Sequence, residues 1–367
     1  MLSALELCGS ASSIHGEGRA ARQRVEAARA EVAALVGADP KNVIFVSGAS
    51  EANALALSLD WQRGRASSPL GHGLVSTIEH ASVGAGGQIP ADRLSLLPVD
   101  GQGRLDLVAA AERIAALEGP ALVSVMLANN ETGIVQPVAD LADLVKGAGG
   151  LLHSDAAQAA GKMPVDLAAS GADMLTLSSH KLGGPGGVGA LVLASDALHR
   201  PSPPIRGGGQ ERGRRAGTEN IAGIAGFGAA ASAARTKLEA RRAHMAALRA
   251  RLETGLRQIS PDVVIFGETV ERLANTTCFA VPGIAAEMAL IALDLEGFAL
   301  SSGSACSSGK VRNSHVLAAM GVAPELASGA LRLSSGAETS ADEIDSFLAA
   351  WKRLQERLHG TKRDRAA

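Results

Sequence analysis

Lys181 sits in the stretch Leu175–Gly189, LTLSSHKLGGPGGVG, where an apolar run ends and hydroxyls, a histidine and glycines crowd the next positions. A lysine on the loop after a buried strand, beside Ser178, Ser179 and His180, suits a Schiff base with a phosphorylated aldehyde. Taken alone, it is equally a surface lysine in a glycine-rich loop. Asp155, in LLHSDAAQ (residues 151–158), also follows a buried apolar run. It precedes Lys181 by about one strand–helix–strand unit, so neighbouring strands can carry both side chains to one place. A carboxylate there can keep the ring nitrogen of pyridoxal phosphate protonated, letting electrons drain into the ring. A helix N-cap is the simpler alternative. Gln158, one turn further on, is a donor to the ring's phenolic oxygen.

Three more polar clusters follow apolar runs. Gly48-Ala49-Ser50-Glu51 opens a helix, where backbone amides and the Ser50 hydroxyl make a phosphate site or merely cap the helix. His80 can stack on a cofactor ring, although a lone histidine at a strand end is more often structural. Asn130, in Asn129–Gly133, can reach the ring oxygen or serve only as a turn residue. Near the other end, Cys306 lies in LSSGSACSSG (residues 300–309), a run with almost no bulk. A structural cysteine keeps apolar company and is inert. This thiol can meet a substrate, accept an atom and carry it away, or is an incidental loop thiol. Cys278 alternates with apolar residues and reads as core; Cys8 receives no role. Arg332, within a short apolar strand, is costly to bury without an anion, and a substrate carboxylate would serve as well as water at a sheet edge.

These residues need a scaffold, and the apolar pattern supplies one. Short runs at 43–46, 74–78, 121–127, 151–153, 174–177 and 188–193 read as buried strands, with helices at 15–36, 51–59, 105–117 and 138–148. Such alternation gives an α/β fold with a mainly parallel sheet flanked by helices, and ligands bind at the carboxyl ends of its strands. A long helical pattern over 231–258 leads into a smaller α+β domain with strands near 263–266, 276–281, 298–300 and 331–333 and helices at 285–293 and 341–358. The expected division is a large domain, 1–234, and a small domain, 235–367, that carries the cysteine loop. Helix 15–36 is the one early element expected to pack with the small domain. Residues 202–215 form a Pro/Gly/Arg-rich loop longer than a plain connection needs.

The chain has 367 residues, 46% hydrophobic and 20% charged, with formal net charge −2, which gives no field to attract nucleic acid or an anionic membrane. Tyrosine is absent and aromatics are 2%, against a base-stacking platform. Three scattered cysteines form no metal-binding or disulfide spacing and suit a reducing compartment. His153, Asp155 and His180 match no metal motif. No run is long enough to span a membrane and no export signal opens the chain, so a cytoplasmic enzyme is expected.

The blocks SGASEAN (47–53), IEHASV (78–83), NNETGIVQP (129–137), HSDAAQ (153–158), SSHKLGGPGGVG (178–189), GGGQERGRRAGTEN (207–220) and SSGSACSSG (301–309) occur in order. In them the chain resembles the NifS/IscS-type cysteine desulfurases, fold type I pyridoxal-phosphate enzymes of the class V aminotransferase group, from about Gly9 to Leu358. The resemblance implies conversion of L-cysteine to L-alanine, with sulfur passed as a persulfide to Cys306. An acceptor protein follows, an iron–sulfur scaffold or a thiolation protein. It makes Lys181 the Schiff-base lysine, Asp155 the partner of the ring nitrogen, His80 the stacking ring, and Gln158 and Asn130 contacts to the ring oxygen or substrate. Ala49, Ser50, Ser178 and His180 would hold the phosphate. Thr218 would reach the phosphate of the other subunit in a homodimer, and Arg332 would bind the substrate carboxylate. The thiolate of Cys306 then needs a lowered pKa or a proton acceptor such as His80. The family's opening strand and Gly-Asn-Pro-Ser segment have no counterpart, since residues 9–12 read Gly-Ser-Ala-Ser; cofactor retention and closure over substrate are expected to suffer. Alternatives are another class V activity, a selenocysteine lyase or an aminotransferase, told apart by product, or a truncated non-catalytic partner in sulfur transfer, told apart by the missing yellow colour.

Overall fold

The structure is a computed structural model that describes residues 1–7, 9–64, 69–302 and 314–366. Its contacts divide the chain into two units. The first comprises Met1–Pro98, Leu105–Ala128 and Gln136–Leu238; the second comprises Val99–Arg104, Asn129–Val135 and Glu239–Ala367. Two short segments expected in the large domain, 99–104 and 129–135, thus belong to the second unit.

The first unit contains β1 (Val43–Val46), β2 (Gln62–Arg63), β3 (His72–Ser76), β4 (Leu94–Leu97), β5 (Ala121–Ser124), β6 (Leu151–Asp155), β7 (Met174–Ser178), β8 (Gly189–Leu193) and β9 (Leu198–His199). Seven of them form one sheet in the order β1-β8-β7-β6-β5-β3-β4, while β2 and β9 pair separately. The pairs β3–β4, β3–β5, β5–β6 and β6–β7 are parallel. Strand β8 runs against both β7 and β1. That reversal needs a sharp turn after Lys181, and Gly183 (φ 85°) and Gly187 (φ 76°) adopt the left-handed backbone it requires. Because β1 and β7 both oppose β8, β1 runs with the parallel strands. The carboxyl ends of β1, β3, β5, β6 and β7 therefore share one edge.

Strands β1, β5, β6, β7 and β8 are buried at every position, as expected of a sheet covered on both faces. One core cluster on it gathers Ile44, Val75, Leu122, Leu151, Met174 and Leu191. Helix Gly16–Leu35 packs within this unit, against helix Ile221–Thr236. The reason is the lack of bulk at the crossing: a Cβ on Gly228 would lie 2.5 Å from Ala28 Cα. The helical pattern over 231–258 is two helices, Ile221–Thr236 and Leu238–Ile259, with Lys237 out of helical geometry at φ −108°, ψ 8°.

In the second unit β10 (Val264–Ile265), β11 (Thr276–Ala280), β12 (Ser301–Ser302) and β13 (Leu331–Ser334) form an antiparallel sheet in the order β10-β11-β13-β12. The strand expected at 298–300 falls at Ser301–Ser302. Helices Leu238–Ile259 and Ala341–Ala366 contribute Leu252, Leu256, Phe347 and Trp351 to a core that also holds Phe279. Trp351 meets Phe279 edge to face at 5.4 Å and donates its indole N–H to Ser260 Oγ at 2.9 Å.

Candidate active site

The shared edge of the first unit's sheet gathers most of the predicted residues. Helix Ala49–Ala56 starts two residues after β1, and its N-cap, Gly48, offers no side-chain acceptor. The first-turn amides of Ala49 and Ser50 thus face outward with their share of positive potential. Ser178, the last residue of β7, is in register with Gly189, the first of β8. A Cβ on Gly189 would lie 2.7 Å from the Gly48 carbonyl carbon, so the helix start and Ser178 flank the same glycine. The Ser178 hydroxyl is hydrogen bonded to His180 Nδ1 at 3.0 Å. Burial holds the His180 imidazole below its usual range, and the nearby Lys181 and Lys162 charges add to this. Lys181 follows on the exposed turn.

Asp155 ends β6 and is 6% exposed. Its Oδ2 accepts from Asn53 Nδ2 at 2.8 Å and its Oδ1 from the Ala157 amide at 2.9 Å. Burial raises its carboxyl above the ordinary value; the hydrogen bonds from Asn53 and Ala157 and the fields of His80 and Lys181 oppose the rise. His80 caps the short helix Ala81–Gly84, with Nδ1 2.8 Å from Ser82 Oγ and 3.2 Å from the Ser82 amide. Gln158 is half-buried, and its Oε1 accepts from Lys162 Nζ at 2.8 Å.

Asn130 and Arg332 belong to the second unit, where Arg332 donates to the Asn130 carbonyl at 2.6 Å and to Ser301 Oγ at 3.1 Å. Asn130 Oδ1 is buried and accepts nothing from the described residues. Cys306 and Cys8 lie outside the described residues. Cys278 is core: burial, helped by the Glu131 charge, pushes its thiol up to about 12.

Thr218 is exposed on the long Arg/Gly loop. That loop is tied down by an ion pair. Glu211 takes Arg29 in a two-toothed grip at 2.7 and 2.9 Å and the Phe45 amide at 2.9 Å. This holds Glu211 and Arg212 at positive φ, 48° and 58°, which non-glycine residues rarely adopt. Arg215 grips Glu51, at the start of the phosphate-side helix, at 2.8 Å.

A family model for class-V aminotransferases matches residues 5–347. The chain belongs to the class-V aminotransferase family. A cysteine desulfurase of Cereibacter sphaeroides is 44% identical over 350 residues, spanning 93% of this chain and 87% of that one. An IscS-like cysteine desulfurase of Mycobacterium tuberculosis is 39% identical over 347 residues, 93% and 88% of the two chains. Among solved structures, a NifS-like protein from Rickettsia africae superposes with a TM-score of 0.87 at 32% identity, over 97% of this chain and 94% of that one. The resemblance seen in the sequence blocks and the expected α/β fold are thereby borne out.

The cofactor of this class-V family member is pyridoxal phosphate, and the residues present fit it. Asp155 is a buried anion suited to a ring nitrogen, Lys181 an exposed amine suited to an aldehyde. The helix start, whose N-cap Gly48 has no side chain, flanks Gly189 with Ser178 and suits a phosphate. Sequence reasoning gave no role to three residues of this group. Asn53 and Ser82 stand inside quoted blocks, but their contact joins positions far apart in the chain and no spacing announces it. Glu79, fully buried, accepts the Met126 amide at 2.7 Å. Burial, reinforced by the Asp155 charge, holds its carboxyl well above the usual range. Among the described residues no helix is long and apolar enough to cross a membrane, and no group of His, Cys, Asp or Glu is arranged to hold a metal ion.

Proposed function

We propose that the chain converts L-cysteine to L-alanine and moves the sulfur, as a persulfide on Cys306, to an acceptor protein for iron–sulfur cluster or thio-cofactor synthesis. The observation that carries this reading is the convergence of Asp155, Lys181, His80 and the helix start at Ala49 on one edge of the sheet, in a chain whose relatives are cysteine desulfurases. When bound, pyridoxal phosphate supplies the electron sink for charge left at the substrate Cα.

The chain's own groups do the rest. Lys181 Nζ would hold the aldehyde and, once free, would serve as the base for the substrate Cα proton. Asp155 would keep the ring nitrogen charged, His80 would cover the ring face, and Gln158 and Asn130 would reach its oxygen or the substrate. Ala49, Ser50, Ser178 and His180 would hold the phosphate, joined by Thr218 from the second copy in a homodimer. Arg332 exchanges its carbonyl and hydroxyl partners for the substrate carboxylate. The Cys306 thiolate attacks the substrate sulfur: the S–S bond forms as the C–S bond breaks, and with its protons restored the carbon skeleton leaves as alanine. This chemistry suits a reducing, cytoplasmic setting in which Cys306 remains a thiol.

The test is a Cys306→Ser variant, which should keep the absorbance of bound cofactor yet release neither sulfide nor alanine from cysteine. Undiminished turnover in that variant rejects the persulfide route. Borohydride should tether the cofactor to Lys181, and a folded, cofactor-supplied protein that gives no such adduct rejects the reading as a whole.

A further inference from the structure

Asn53 is fully buried on helix Ala49–Ala56, and its side-chain oxygen finds no hydrogen-bond donor among the described residues. An orphaned buried acceptor is a cost that a leucine of similar size would not carry. What the carboxamide offers instead is its pair of N–H groups. One meets Asp155 Oδ2 at 2.8 Å and the other Ser82 Oγ at 2.9 Å.

The second contact has a consequence for His80. With Ser82 Oγ accepting from Asn53, the hydroxyl proton is free to point at His80 Nδ1, 2.8 Å away. The Ser82 amide also donates to Nδ1, at 3.2 Å. A nitrogen that accepts from two donors carries no proton, so the ring proton sits on Nε2. The chain Asp155–Asn53–Ser82–His80 is thus one directional hydrogen-bond network whose sense is set by an amide that can only donate.

We propose that Asn53 is a positioning residue which, through a single carboxamide, holds the Asp155 carboxylate ready for the cofactor's ring nitrogen and, by way of Ser82, fixes His80 as its Nε2–H tautomer. This rests on the reading that pyridoxal phosphate docks on Asp155 and Lys181. Of the interactions that oppose the effect of burial on Asp155, the Asn53 hydrogen bond is the largest. Glu79, His80 and Lys181 are the titratable groups acting on the same carboxylate. In this resting state His80 is a proton donor at Nε2, so the proton of an attacking thiol is not taken up by that nitrogen.

Asn53→Leu separates positioning from packing. In the cofactor-stripped protein the change in its urea midpoint should be small, because the orphaned oxygen is gone while Asp155 Oδ2 and Ser82 Oγ lose a donor, effects of opposite sign. Its dissociation constant for pyridoxal phosphate should rise roughly ten- to hundredfold, the usual loss for a hydrogen bond to a buried charged group. In holoprotein with 15N-labelled histidine, the Nε2–H fraction of the His80 ring should fall, because only the Ser82 amide, at 3.2 Å, still requires an unprotonated Nδ1. Ser82→Ala should change the His80 spectrum in the same way while affecting cofactor affinity much less.

Wild-type affinity with an unchanged His80 spectrum in Asn53→Leu overturns the proposal. So does a loss of affinity that only tracks a loss of stability. Should Asn53→Leu not fold, an unchanged His80 spectrum in Ser82→Ala overturns it and a changed one supports it. A wild-type protein that takes up no pyridoxal phosphate would instead sink the functional reading, and the His80 tautomer would still be measurable.

Discussion

Gly189→Ala tests whether the approach of β8 to the start of helix Ala49–Ala56 shapes the phosphate cradle. The new methyl would lie 2.7 Å from Gly48 C, 2.8 Å from Gly48 Cα and 2.8 Å from Leu177 O. The shortest of these is about 0.8 Å inside the lower end of the favourable carbon–carbon separation, roughly 3.5 Å. All three neighbours are backbone atoms, so no rotamer change relieves the clash, and either Gly48 or the β7 end must move. Forced overpacking of this kind costs about 1–3 kcal/mol. If Gly48 yields, the Ala49 and Ser50 amides move with it, and misplacement approaching an ångström weakens an aligned site by up to roughly a hundredfold. Urea unfolding of stripped protein and fluorescence titration with pyridoxal phosphate read the two effects. A methyl on Gly186, in the same turn, meets nothing within 4 Å, so Gly186→Ala should stay within about 0.5 kcal/mol of the parent. A Gly189→Ala protein with parental stability and affinity would refute the reasoning.

Two further outcomes follow from buried polar groups. Glu211→Leu leaves the Phe45 amide without its partner and the Arg29 guanidinium with only Glu26, at 3.2 Å, and the Val43 carbonyl, at 2.8 Å, and should cost about 3 kcal/mol in urea unfolding, most of it recovered when Arg29→Met is added; a single variant as stable as the double would contradict this. His153, between Ser124 Oγ at 2.8 Å and Thr176 Oγ1 at 3.0 Å, is held neutral by burial, its pKa lowered to about 3. Its folded value lies below the unfolded one, so between these values the unfolded chain binds the extra proton. The stability it permits is whole above about pH 6.5 and falls by up to roughly 5 kcal/mol as pH drops toward 3. Asp155 and Glu79, whose carboxyls are raised, act in the opposite sense. The informative quantity is therefore the pH 7 to pH 5 difference between wild type and His153→Gln, and equal slopes would refute the assignment.

What the sequence disclosed and what it hid divide along a physical line. Strands β1, β5, β6, β7 and β8 are buried at every position, so each reads as a short unbroken apolar run, and the polar residues after them stand out. Strand β4 escaped notice because it lies at the sheet edge with only Leu97 buried. Residues 99–104 and 129–135 join the second unit although they are embedded in sequence of the first, and apolar periodicity carries no trace of such exchange. The break at Lys237 likewise interrupts a pattern that is continuous in composition.

The same line runs through the active site. Lys181, Asp155 and the start at Ala49 are legible because each lies at or just past the end of a strand, and parallel strands carry their ends to one edge whatever the intervening helices contain. Asn53 obeys no such rule. It faces Asp155 from the second turn of its helix, and its neighbours in the chain are alanines and leucines that would suit a core. Its oxygen without a donor is the clue, and that exists only once the chain has folded. Local sequence thus announces the groups proposed to touch cofactor or substrate, whereas the groups proposed to orient them become visible through unsatisfied valence in the folded state. Searching such sites for buried amides with one idle end is therefore a physical way to find positioning residues that no motif records.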